Sequence, residues 1–256
     1  MASPDTALYF VGKGKLFFDR WTAANASTGE RDLGNAPSFV VTPNVEQLEH
    51  YSSRTGIRSK DHEVDVQQSL NVKFSLDEIS VDNLALVLYG DGVEVMAQGD
   101  GNVGAEAMTL YQDRWVKMNN RNISVSSVGI AGYVEGTDYE VDHSVGRIRA
   151  LSTGGIADGE AVHVSYTFGA MTWNYVEIFG RKPVQGLLRL VGTNEVGTQF
   201  EVLLWKVKIK NSGDINFIGD DWNVIELEGE VLDDTANHSS YPFGQIIEAG
   251  VDISNS

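Results

Sequence analysis

Polar and apolar residues alternate along several stretches of this chain, which is the period of a strand with one face on a core. Val64 to Phe74 reads VDVQQSLNVKF, with a slip at Gln67-Gln68 that suggests a β-bulge. Phe200 to Lys210, FEVLLWKVKIK, places Trp205, Val207 and Ile209 on one face and Lys206, Lys208 and Lys210 on the other. Asn223 to Val231, NVIELEGEV, sets Ile225, Leu227 and Gly229 against Glu226, Glu228 and Glu230. Between these two runs lies NSGDINFIGDDW, a turn-rich connector. A lysine-faced strand followed by a glutamate-faced one predicts an antiparallel pair with opposite charges across it.

One stretch has a helical pattern instead. Ser75 with Glu78 makes a capping box, and Leu76, Ile79, Leu84, Val87 and Leu88 fall roughly on one side. Gly90 is the expected stop. The segment from Leu33 to Asp61 shows little sustained alternation and carries Arg54, Arg58 and Lys60, so it reads as a long loop or an irregular hairpin. Loops of that length in a compact domain are usually functional or disordered. From Ala97 to Ala105 the chain is glycine-rich, and short strands follow: RWVKM, NISVSSV, DYEVD, RIRAL and AVHVSYTF. Residues 98–172 are therefore expected to form a small β-sandwich-like insertion in a parent domain made of residues 1–97 and 173–256.

Composition narrows the class. The chain has 256 residues, enough for one large domain or two small ones with a sizeable core. It holds no cysteine, which excludes disulfides, thiolate chemistry and Cys-ligated zinc. Its opening, MASPDTALYFVGKGKLFF, lacks a basic start followed by a long apolar run, so no signal peptide is expected. No stretch approaches the roughly 18 apolar residues of a membrane helix. A net charge of −17 argues against binding nucleic acid by neutralising phosphates.

The candidate chemistry is sparse. EGTDYEVDHSVGRI, Glu135 to Ile148, spaces Asp138, Glu140 and Asp142 as a calcium loop begins. The loop then needs Gly where His143 stands and a bidentate Glu where Arg149 stands, so the stretch reads as a strand with an acidic outer face. The histidines His50, His62, His143, His163 and His238 are scattered, and neither H-E-x-x-H nor G-x-S-x-G occurs. GDGNVG from Gly99 matches a dinucleotide fingerprint, but strand-like sequence follows where a helix is required. No cofactor, metal or catalytic residue is expected. The basic cluster of the long segment is better suited to an acidic surface on a neighbouring copy than to nucleic acid, given the net charge.

The order of elements resembles the major tail tube protein of long, non-contractile-tailed bacteriophages. GKGKLFF is followed by a long loop ending in LEHYSSRTGIRSKD, then VDVQQSLNVKFSLDE and a helix ending LVLYG. The C-terminal half carries GLLRLVGTNEVGTQFEVLLWKVKI, INFIGDDWNVIELEGEVLDD and YPFGQI. The resemblance spans residues 7–97 and 173–247, and the insertion is similar to the small outer β domain of some of these proteins. It implies a mainly β fold with one packed helix, in which protomers form hexameric rings around a shared β-barrel and the rings stack into a hollow tube. It implies a virion location and assembly with itself and with other tail proteins, such as the tape measure and tail terminator. Double-stranded DNA would pass down an acidic lumen without specific binding. On this reading Asp65, Glu226, Glu228 and Glu230 are the candidate lumen acids. Glu49, His50, Arg54, Arg58, Lys60 and Asp61 belong to the loop that reaches the next ring. The rival expectation is a non-assembling two-domain β protein that recognises carbohydrate or a surface partner through Trp115, Tyr133 and Tyr139.

Overall fold

The structure, a computed structural model, describes residues 9–54, 56–180 and 184–248. It is mainly β, with 52% strand and 3% helix. The chain divides into two compact units, Met1–Val93 with Val176–Ser256, and Glu94–Tyr175. In the first unit lie β1 (Gly14–Arg20), β2 (Glu30–Asp32), β3 (Ser38–Ser52), β4 (Ser59–Leu76) and helix α1 (Val81–Val87). The second unit follows with β5 (Glu94–Gln98), β6 (Gly101–Leu110), β7 (Val116–Lys117), β8 (Gly129–Ile130), β9 (Tyr139–Asp142), β10 (Arg147–Ala150), β11 (Glu160–Phe168) and β12 (Met171–Tyr175). The chain then returns to the first unit with β13 (Val184–Gly192), β14 (Phe200–Asn211), β15 (Ile225–Val231) and β16 (Gly244–Glu248).

The first unit is one antiparallel sheet, ordered β2-β1-β13-β14-β15-β4-β3, with β16 also paired to β14. One sheet face carries the core: Leu16 and Phe18, Leu188, Val202 and Leu204, Val207 and Ile209, Ile225 and Leu227, and Val72 and Phe74. Leu86 and Val87 of α1 and Leu33 pack on it. Gly229 holds the core position after Leu227, and a Cβ there would sit 2.6 Å from Val207 Cγ1 and 2.9 Å from Val72 Cγ1. The two valines from the flanking strands fill the space that a side chain would take.

The core face changes parity along β14. Leu187 faces both Trp205 and Lys206, since Gly186 pairs with Val207 and Leu188 with Leu204. This bulge puts Val202 and Leu204 on the core side before it and Val207 and Ile209 after it. Strict alternation predicts that Trp205 shares a face with Val207, and the bulge separates them. Trp205 stacks on His238, with ring centroids 4.0 Å apart, and its Nε1 donates to the Tyr241 carbonyl.

The helix is shorter than its sequence pattern. β4 runs on through Leu76, and Ser75 hydrogen-bonds Ser38 through the two hydroxyls. The cap is Ser80, whose hydroxyl accepts from the Asn83 N–H. Core burial of Phe74 and Leu76 extends the strand past the capping-box signal. At the other end Tyr89 takes the left-handed conformation (φ 53°), and the Gly90 N–H donates to the Ala85 carbonyl, which is a Schellman closure. Gly90 is small for another reason: a Cβ there would lie 2.5 Å from Val176 Cγ1.

The second unit contains two three-stranded sheets, β7-β10-β9 and β6-β11-β8, and a ribbon of β5 with β12. Leu110, Met118, Tyr139, Ile148, Val164 and Tyr166 form its core. Its limits lie at Val93/Glu94 and Tyr175/Val176, outside the expected 98 and 172, because β5 and β12 pair with each other. The glycine-rich stretch expected as a linker instead begins β6. Gly101 leaves room for the Phe168 ring, which a Cβ would meet at 2.8 Å. NISVSSV, expected as a strand, is irregular: Ile123 makes an isolated bridge to Phe168, and a turn at Val125 and Ser126 is closed by Ser127 N–H to Ser124 O. The N-terminal residues 1–8 read for a leader lie outside the described residues.

Candidate functional site

The strongest candidate is a two-stranded arm. β15 pairs with β4 only from Leu70 to Leu76, so among the described residues the sole neighbour of β4 from Ser59 to Ser69 is β3. The distal parts of β3 and β4 form a ribbon exposed on both faces. The arm thus resolves the Leu33–Asp61 alternative in favour of a hairpin, with irregularities between Glu46 and Gln47 and between His50 and Tyr51. The first leaves Val66 unmatched, one residue before the slip read at Gln67-Gln68. Val45, Leu48, Tyr51, Val64 and Val66 are all exposed along the arm, and Ile57 at its turn is 81% exposed. At about 3.3 Å per residue, β4 from end to end spans roughly 60 Å.

Most charges of the arm are satisfied internally. Glu49 and Glu63 face each other across the ribbon, and Lys60 donates to Glu49 Oε1 at 2.6 Å and also pairs with Glu63. These two hydrogen bonds push the Lys60 ammonium well above its usual range, and those from Lys60 and the Tyr51 hydroxyl hold Glu49 below its own. His50 contacts Asp61 at 2.5 Å and faces His62. Among the described residues Arg54 and Arg58 form no ion pair; Arg58 lies over the Tyr51 ring at 5.6 Å. The six candidate loop residues therefore do gather at the distal end of the arm, but only Arg54 and Arg58 present unpaired charge there.

The candidate lumen acids do not form one group. Glu226, Glu228 and Glu230 project from β15 on the sheet face opposite the core. Glu228 lies opposite Lys210 on β14 and Lys73 on β4, with Lys73 Nζ 4.0 Å from its carboxylate. Glu230 lies opposite Lys208 and Asn71, and Lys210 Nζ comes within 3.9 Å of it. The expected charge ladder between β14 and β15 is present, and Lys73 extends it to a third strand. This face is a mixed lattice and not a uniformly acidic wall. Asp65 stands apart from it on the arm, where it accepts a hydrogen bond from Gln47 at 3.0 Å.

In the second unit the acids of EGTDYEVDHSVGRI have structural partners. Asp138 accepts from the Val134 and Gly155 N–H groups, which depress its pKa. Glu140 pairs with Arg149 and Asp142 with Arg147. The Ser144 hydroxyl and the Val145 N–H hold the Asp142 carboxyl below its ordinary range, with Arg147 adding to them. Among the described residues no group of acids and histidines is arranged to hold a metal ion. The aromatic set proposed for carbohydrate does not assemble. Tyr139 is 2% exposed in the core, Tyr133 donates to Glu160, and Arg147 and Arg149 lie over Trp115 at 4.9 and 4.8 Å.

Three histidines meet a carboxylate: His50 with Asp61, His143 with Glu135, and His238 with Asp234. Among the described residues no serine or threonine hydroxyl hydrogen-bonds any of these rings.

A family model described as protein of unknown function UCP028589 matches residues 9–248, nearly the whole chain and both compact units. The chain belongs to this family. No curated protein matches it. Among the described residues no helix is long and apolar enough to cross a membrane.

Proposed function

We propose that this chain is the repeating subunit of a hollow tube built from stacked rings, of the kind formed by the major tail tube proteins it resembles. The arm carries this reading. A two-stranded ribbon with solvent on both faces is marginal in water, and this one also exposes a row of valines with Leu48, Tyr51 and Ile57. Such an element is best explained by a neighbouring copy that covers it. The sheet edges add support. β3 offers a long open edge, which is a liability in a monomer and a means of closure in a ring of like subunits. The polar face of β15, β14 and β4 suits a lumen, because lysines set against glutamates offer little net positive charge for phosphates to grip. The chain would then be a virion component whose partners are its own copies, with DNA passing through without specific contacts.

The test is electron microscopy of the purified protein over a range of concentrations. Rings and tubes are expected for the full chain. Replacing residues 44–69 with a short turn, which joins the paired neighbours Pro43 and Leu70, should leave the sheet folded and stop the tubes. A full chain that stays monomeric at every concentration overturns the proposal.

A further inference from the structure

The connector between β14 and β15 holds its largest apolar side chains in solvent. Trp222 is 96% exposed, Ile218 94% and Phe217 73%. Three large apolar side chains held in water this way gain by being covered. The base of the connector is anchored, because Ile215 packs against the core and the Ser212 N–H donates to the Glu226 carbonyl. Its outer part folds on itself through a hydrogen bond from the Asn223 amide to the Asn216 carbonyl. That fold encloses a cleft of about 320 Å³ lined by Asp214, Asp220 and Asp221 together with Phe217 and Trp222. The connector contains no basic residue between Ser212 and Val224.

The arm tip has the complementary composition. Between Ser52 and Lys60 there is no carboxylate, and Arg54 and Arg58 flank the exposed Ile57. Farther back along the arm, Glu49 and Glu63 both hold Lys60, and Asp61 contacts His50.

The register decides which copy supplies the partner. Ile225 pairs with Leu76 and Val231 with Leu70. The acidic connector therefore enters at the Ile225 end of the sheet, while the arm leaves from the Val231 end and continues away from it. One copy cannot bring its own tip to its own connector, since β4 alone separates them by roughly 60 Å. Two copies stacked head to tail along the strand direction can. That contact is heterologous and does not close on itself, so it repeats.

We infer that the connector of residues 212–224 is the receptor for the arm tip of a second copy. Ile57 packs on Ile218 and Trp222, and Arg54 and Arg58 enter the acidic cleft. The inference rests on the stacked-subunit reading and adds the surface at which stacking occurs.

The absence of cysteine makes the test direct. A chain carrying Arg58→Cys is mixed with one carrying Asp220→Cys under mild oxidation. A disulfide-linked mixed dimer is expected to exceed either homodimer. Trp222→Ala, at a nearly fully exposed side chain, should leave the melting temperature unchanged and raise the concentration needed for tubes at least about tenfold. Arg54→Asp with Arg58→Asp should block tubes, and adding Asp220→Arg with Asp221→Arg in the same chain should restore them. If the unaltered chain forms tubes, but the connector variants do so equally well and no mixed dimer appears, the inference is overturned and the tube reading stands. If the unaltered chain forms no tubes, both fall.

Discussion

Asn83 shows how single residues hold the first unit together. It is 1% exposed, and its side-chain amide donates to the Leu33 and Glu78 carbonyls at 2.9 Å each. Its Oδ1 accepts from Arg31 at 2.8 Å. The short helix α1 is thereby tied to the segment after β2. Asn83→Ala would strip the buried Leu33 carbonyl of its side-chain donor, whereas the Glu78 carbonyl keeps the Ser80 N–H, and a loss of about 1–2 kcal/mol is expected, read as a lower urea midpoint with an unchanged m-value. The amide has no such role in any periodicity argument, because its partners come from Leu33 and Arg31, about fifty residues earlier. Trp205 makes the same point from the other side. Its place in the alternation assigned it to the core face, and one extra residue in the strand turned it toward His238.

At the scale of an element, the arm depends on a balance of charge across its two strands. Glu49 and Glu63 stand directly opposite each other, a repulsive arrangement relieved by Lys60. Lys60→Met should loosen the distal ribbon without touching the sheet. Hydrogen exchange should then lose protection between Leu48 and Val64 and keep it in β13, β14 and β15. Equal loss in both regions would show that arm and sheet do not open independently. The helix and the arm also differ in how plainly they can be read. Ser75 and Glu78 form a sound local helix start, yet burial of Phe74 and Leu76 in the sheet overrides it. The β3 side of the arm shows weak alternation because neither of its faces is buried in one copy, so nothing selects a period of two.

For the whole molecule, the second unit is joined through a pair of adjacent strands. Glu94 pairs with Tyr175 in the β5–β12 ribbon, so the two ends of the unit lie within one strand spacing, about 5 Å. Removing residues 94–175 and joining Val93 to Val176 through a short glycine linker should preserve the sheet and, on the proposed function, the tubes. Circular dichroism and microscopy of that variant check both statements. Its failure to fold would show that the first unit needs the insertion. A folded variant without tubes would place part of the assembly surface on the second unit.

The sequence by itself determined the class of the molecule. Period-two alternation marked the strands, the lysine and glutamate faces announced the pairing of β14 with β15, and the acidic composition without cysteine removed whole families of chemistry. Alternation also marked DYEVD as a strand, once the calcium loop had failed at two required positions. Alternation is a local property and survives reading one residue at a time. Only the tertiary structure decided which acids stand together and which charges stay free. Asp65 leaves the group of Glu226, Glu228 and Glu230 because β15 stops at Val231, opposite Leu70. Arg54 and Arg58 are distinguished from Lys60 by partners across the ribbon. The opposed directions of arm and connector follow from register, which pairing between distant segments sets and composition does not encode.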